Sequence, residues 1–158
     1  MTAARAQVLG VVVKKSVDFQ IANDLPPLVR PGLHEVMLDN FQTALMFQGK
    51  APKLIMNFAI VSHGEDFGKR VPRYYNVDKI IGKPQREGQF KVSKKGDFLR
   101  EYLTLFQYAG SRLDRLPMSR FNGVTIKAEI ETVKHSRGKD IPEPLQYSKV
   151  ARLIKVVE

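Results

Sequence analysis

The plainest alternation in the chain runs from Lys53 to Val61, where Leu54, Met56, Phe58 and Ile60 fall on one side and Ile55, Asn57, Ala59 and Val61 on the other. Successive side chains of a strand point to opposite faces, so this pattern predicts a strand with the Leu54 set toward the core. Residues 33–47 are apolar enough for a long, partly buried strand before it, with Gln48-Gly49-Lys50 and Ala51-Pro52 as the connecting turn. His63 to Asp66 reads as a hairpin loop and Lys69 to Val77 as a third strand. On that strand Val71, Arg73, Tyr75 and Val77 share one face; Arg70, Pro72, Tyr74 and Asn76 share the other. Tyr74 and Tyr75 must therefore diverge, Tyr75 to the core with its valines and Tyr74 to the open face. Pro72 has no N–H for a ladder and predicts an edge position or a bulge.

The pattern then changes. Gly82 to Gly96 is a basic loop or ragged hairpin punctuated by Pro84, Gly88 and Gly96. Asp97 is the expected N-cap of a helix to about Tyr108, with Phe98, Leu99, Tyr102, Leu103 and Phe106 along one face and Gly110 as its stop. That aromatic stripe reads as core. Ser111 to Arg120 is a second basic connector. Strands return as a hairpin, Gly123 to Val133 and Tyr147 to Val157. In the first, Val124, Ile126, Ala128 and Ile130 alternate with Thr125, Lys127, Glu129 and Glu131; in the second, Val150, Ile154 and Val156 are set against Lys149, Leu153 and Lys155. A long polar loop joins them.

Ahead of this body, residues 1–7 read as a loose start, Val8 to Val13 as a short strand, and Ser16 to Pro31 as an irregular connector broken by Pro26, Pro27 and Pro31. The expected division is an N-terminal arm, 1–31, and one domain, 32–158. Three strands, a basic connector, one helix and two more strands is the element order of an OB-fold. The expected fold is thus mainly β, a five-stranded OB-fold-like Greek-key barrel with one helix between strands three and four, plus the arm. In such a barrel the oligonucleotide groove would map to residues 53–61, 69–77, 48–52 and 134–146.

Charge sharpens the picture. Across 158 residues, 26 Lys and Arg oppose 16 Asp and Glu, a net of +10. Between Phe67 and Arg100 alone, ten basic residues meet three acidic ones, interleaved with Phe67, Tyr74, Tyr75 and Phe90. Clustered cations among aromatics suit a phosphate backbone with bases to stack on. The candidate nucleic-acid-binding residues are Lys69, Arg70, Arg73, Tyr74, Lys79, Lys83, Arg86, Phe90, Lys91, Lys94 and Lys95, then Arg112 and Arg115, then Lys134, Arg137 and Lys139 at the last loop.

The absence of cysteine excludes disulfides, Cys-ligated zinc and thiol chemistry. The apolar run Val8 to Val13 is too short for a signal-peptide core or a bilayer span, so a cytoplasmic protein is expected. No Walker-type phosphate loop is present, and His34, His63 and His135 lack metal-site spacing. No cofactor is expected. Three acid pairs are candidates for a metal-dependent nuclease: Glu65-Asp66, Asp97 with Glu101, and Glu129 with Glu131 beside Lys127. Alternating Lys and Glu is also how a strand keeps an outer face wet, and a non-enzyme is the leading reading.

Residues 31–157 resemble the small OB-fold single-stranded DNA-binding proteins of phages and mobile elements. The resemblance rests on Pro31-Gly32-Leu33-His34-Glu35-Val36, on Gly64 with Phe67-Gly68-Lys69-Arg70, and on the closing hairpin. It implies a replication or recombination accessory protein that coats single strands with little sequence preference, DNA favoured over RNA. It allows a homo-oligomer and replication or recombination proteins as partners, and no membrane. One departure is the final stretch Ala151-Arg152-Leu153-Ile154-Lys155-Val156-Val157-Glu158, where many bacterial proteins of this function carry an acidic recruiting tail. The competing readings are a small metal-dependent nuclease and a basic adaptor docking on RNA or an acidic protein.

Overall fold

The computed structural model describes residues 28–107 and 116–157. The expected strand at Val8 to Val13, most of the arm, the helix stop at Gly110, and Arg112 and Arg115 lie outside the described residues. The described residues are mainly β with one α-helix. The first long strands are β1 (Gly32–Met46), β2 (Ala51–Ile60) and β3 (Arg70–Asn76). The basic loop carries the short strands β4 (Lys79–Ile81) and β5 (Gln89–Lys91), and helix α1 (Asp97–Phe106) follows. A 3-10 turn (Met118–Phe121) leads to β6 (Thr125–Val133). A small hairpin of β7 (His135–Ser136) and β8 (Lys139–Asp140), a 3-10 turn (Glu143–Leu145) and β9 (Tyr147–Val157) complete the order.

Five long strands form one antiparallel sheet in the order β9-β6-β1-β2-β3. The expected barrel is corrected to an open five-stranded sheet, because no ladder joins β3 to β9. Pro72 lies on the edge strand β3, as its missing N–H requires.

The alternation of β2 is borne out: Leu54, Met56, Phe58 and Ile60 are buried. Ala51 and Pro52 belong to this strand instead of the turn before it, which spans 47–50. Elsewhere bulges break the period of two. In β1 the register slips between Leu38 and Asn40, so Val36 and Leu38 face the core before the slip and Phe41 and Thr43 after it. In β9 slips follow Val150 and Leu153, which turns Leu153 inward beside Val150. The expected face of Val150, Ile154 and Val156 is corrected accordingly: Leu153 is buried and Ile154 is only half-buried.

Helix α1 packs on the core side of the sheet against β9 and β3. Its N-cap is Gly96, with no side-chain cap; Asp97 sits in the first turn, where a carboxylate meets the positive end of the helix dipole. Gln107 ends the helix in the left-handed region (φ 46°), donating its N–H to the Leu103 carbonyl. The buried stripe is Phe98, Leu99, Tyr102 and Leu105, so Leu105 takes the core place expected of Leu103. Phe98 is the hub, its ring edge-on to Tyr75 (5.1 Å) and Phe90 (5.6 Å) and tilted against Tyr102 (5.9 Å) and Phe121 (6.5 Å). Truncating such a ring costs about 3–5 kcal/mol.

Candidate nucleic-acid interface

The antiparallel registers of β1, β2 and β3 place their outward side chains in rows. Asn40 faces Asn57 and Pro72; Gln42 faces Ile55 and Tyr74; Ala44 faces Lys53 and Asn76. The Asn57 amide donates to Asn40 Oδ1 at 2.8 Å, Asn40 donates to Asp39 Oδ2 at 2.8 Å, and Asp39 pairs with Arg70 at 2.9 Å. Lys53 donates to Asn76 and stands over the Phe47 ring, 5.8 Å from its centroid. This surface carries amides, two aromatics and a few cations. It can hydrogen-bond and stack without committing to one base.

The expected divergence of the tyrosines is borne out. Tyr75 is 2% exposed, and its hydroxyl donates to Glu101 Oε1 at 2.7 Å. Burial, with Glu101 beside it, pushes its phenol well above the ordinary range. Tyr74 is half-buried on the outward face, and its pKa is raised first by burial and then by Tyr147, where the 134–146 loop rejoins the sheet.

Three expected binding residues are structural instead. Arg73 faces inward, 8% exposed, paired with Glu101 at 2.5 Å and lying over the Tyr75 ring at 4.3 Å. Burial, the largest single influence, works against its charge, but Glu101 and Tyr75 together outweigh it and raise its pKa. Phe90 packs on Phe98, so it fills the core instead of offering a ring to a base. Lys69 is tied to Asp66 at 2.8 Å and to the Leu28 carbonyl at 3.1 Å. These bonds, with the Arg30 N–H donated to Asp66 at 3.0 Å, lock the loop ahead of β3. The Lys69 bond is the first cause, and the Arg30 N–H the second, holding the Asp66 carboxyl below its ordinary value.

The remaining cationic candidates among the described residues are exposed. Lys79 and Lys91 stand directly opposite each other across the β4–β5 pair, and neither forms an ion pair among the described residues. Like charges in facing positions are destabilising in a bare sheet and favour a nearby anion. Lys83 and Arg86 lie in the same hairpin's loop. Lys94 and Lys95 are exposed in the turn before α1, with no bond joining their side chains to the outward face among the described residues. Lys134, Arg137 and Lys139 are exposed on or beside the β7–β8 hairpin, where positive φ at Arg137 (53°) and Gly138 (77°) makes the tight turn that puts Arg137 at the tip.

Comparison of the chain with protein-family models, with curated proteins and with solved structures gave no match. The functional reading therefore stands on the geometry.

That geometry adds residues the sequence reading passed over. Phe47 is 58% exposed at the tip of the β1–β2 hairpin, where Phe47, Gln48 and Gly49 all have positive φ (55°, 60° and 80°). Holding two consecutive non-glycine residues there strains the backbone and lifts a ring into solvent beside Lys50 and Lys53. The signal was an aromatic directly before Gln48-Gly49-Lys50. Gln42 and Asn40 were hidden because the bulge after Leu38 shifts which residues of β1 face out, whereas Asn57 and Lys53 lie in the 53–61 stretch expected to line the groove.

The acid pairs weighed for nuclease chemistry are otherwise engaged. Glu129 pairs with Arg152 at 2.8 Å, Glu131 with Lys149 at 3.4 Å, and Glu65 with Arg30 at 3.0 Å. Glu101 holds Arg73, Tyr75 and the Leu153 N–H. Among the described residues no three potential metal ligands cluster, and no helix is long and apolar enough to cross a membrane.

Proposed function

We propose that this protein binds single-stranded nucleic acid with little sequence preference, DNA favoured over RNA, and serves replication or recombination as an accessory protein. The observation that carries the reading is the outward face of β1–β3. It presents Tyr74 among Asn40, Gln42, Asn57 and Lys53, with Phe47 at one end, and the Lys and Arg side chains of the β4–β5 and β7–β8 hairpins are exposed and form no ion pair among the described residues. The cations neutralise phosphates in any sequence, and Tyr74 and Phe47 stack on any base because every base has a π-face. The strand order β9-β6-β1-β2-β3, with α1 between β5 and β6, supports an OB-fold whose barrel is left open between β3 and β9.

Fluorescence anisotropy with a labelled oligo-dT, its duplex and an RNA of equal length, each at several salt concentrations, tests the reading. Salt-steep binding that prefers the single strand is expected. Equal affinity for duplex, or no binding at 50 mM salt, would overturn it.

A further inference from the structure

The basic loop between β4 and β5 is fastened to the sheet. Strand β6 pairs only with Gly32 to Met37 of β1, and residues 85–87 run along the edge of β1 beyond that point. Thr43 donates its N–H to the Gln85 carbonyl and Glu87 donates its N–H to the Phe41 carbonyl, each at 3.0 Å. These two bonds bracket the facing residues Gln42 and Arg86, an antiparallel pair of the kind whose side chains approach most closely. Facing residues share a side of the sheet, so Arg86 stands on the outward face with Gln42. Gln42 is in register with Ile55, and Ile55 with Tyr74. One row thus runs Arg86, Gln42, Ile55, Tyr74 across three strand spacings, about 14 Å between the first and last backbone positions.

Two residues without charge fix the position of Arg86. The Thr43 side chain is buried, 3% exposed; its hydroxyl donates to the Gln85 carbonyl at 3.2 Å and accepts the Gln85 N–H at 3.0 Å. Gly88 backs onto that hydroxyl. A Cβ at position 88 would lie 2.5 Å from Thr43 Oγ1 and 3.0 Å from the Gln85 carbonyl oxygen. Its φ is ordinary, so glycine is required there for space alone.

We infer that residues 85–88 act as a fourth strand of the binding face, beside β1, and that single-stranded nucleic acid crosses the sheet along this row. Tyr74 stacks on a base at one end while Arg86 takes a phosphate at the other, its planar fork matching two phosphate oxygens. Thr43 and Gly88 are positioning residues that act through Arg86. The inference rests on the single-strand binding proposed above.

The test is oligo-dT affinity over a salt series for wild type, Arg86→Ala, Gly88→Ala and the double variant, with thermal unfolding of each alongside. Losing one phosphate contact lowers the slope of log K against log salt by about 0.7, and affinity at 0.1 M salt about fivefold. Arg86→Ala should show both changes with an unaltered melting temperature. Gly88→Ala should reproduce most of each, and the double variant should bind no worse than Arg86→Ala, because the two residues form one unit. Thr43→Val, which keeps the shape but removes the hydroxyl, should act in the same direction if Gly88→Ala folds poorly. A wild type that binds while Arg86→Ala keeps the full salt slope would overturn the inference and leave single-strand binding standing. So would losses from Arg86→Ala and Gly88→Ala that add in full. A wild type that binds no strand would overturn both.

Discussion

Strand β3 carries an arginine and a tyrosine on each of its faces, and the two pairs have opposite work. Outward, Arg70 is exposed in an ion pair with Asp39, and Tyr74 is half-covered beside Tyr147. Inward, Arg73 and Tyr75 are buried against one carboxylate, Glu101, which also accepts the Leu153 N–H of β9. That acid joins the two edges of the open sheet that no ladder joins. The same side-chain chemistry becomes a clasp where water is excluded and a contact surface where it is not. Residue type alone does not assign function; the face does.

The clasp is where the largest effect is expected. Glu101→Ala leaves the Arg73 guanidinium buried without its counter-charge and frees three donors at once. Unfolding in denaturant should show a loss of about 3–5 kcal/mol. A loss below 1 kcal/mol would mean that the seam holds without Glu101.

The two tyrosines give the sharpest contrast. Tyr75→Ala removes a ring packed on Phe98 and should lower stability by about 3–5 kcal/mol. Tyr74→Ala should leave the melting temperature nearly unchanged and weaken oligo-dT binding by about 1–3 kcal/mol, the contribution of one stacked base. Equal effects on stability would break the assignment of faces.

A smaller effect belongs to the loop ahead of β3. Asp66 is held below its ordinary value of 3.8, so its contribution to stability is complete above that pH and is lost as pH falls through the lower folded value. Wild type should lose about 1 kcal/mol more than Asp66→Asn on acidification below pH 3.8. Parallel acid-unfolding curves for the two proteins would show that Asp66 anchors nothing.

How far the sequence foretold this depends on distance along the chain. Short-range alternation separated Tyr74 from Tyr75 and found the core side of β2, because both need only a period of two over unbroken segments. It failed in β9, where bulges follow Val150 and Leu153, and it assigned no faces in β1, where a bulge follows Leu38, since a single insertion exchanges every later side chain between faces. It also failed for partners far apart in sequence. Arg73 looked like a phosphate ligand because Glu101 lies 28 residues away, and the Thr43–Gln85 bonds that place Arg86 span 42. Phe90 was read as a stacker because its contact with Phe98 crosses from hairpin to helix.

The most direct measurement is an amide NMR footprint of oligo-dT on the intact protein at low salt. Shifts and line broadening should concentrate at Gln42, Ile55, Tyr74 and Arg86, with Phe47 and Lys53 beside them, while Arg73, Tyr75 and Glu101 stay in place. A footprint centred on Lys94 and Lys95, or on the inward face of β3, would contradict the account.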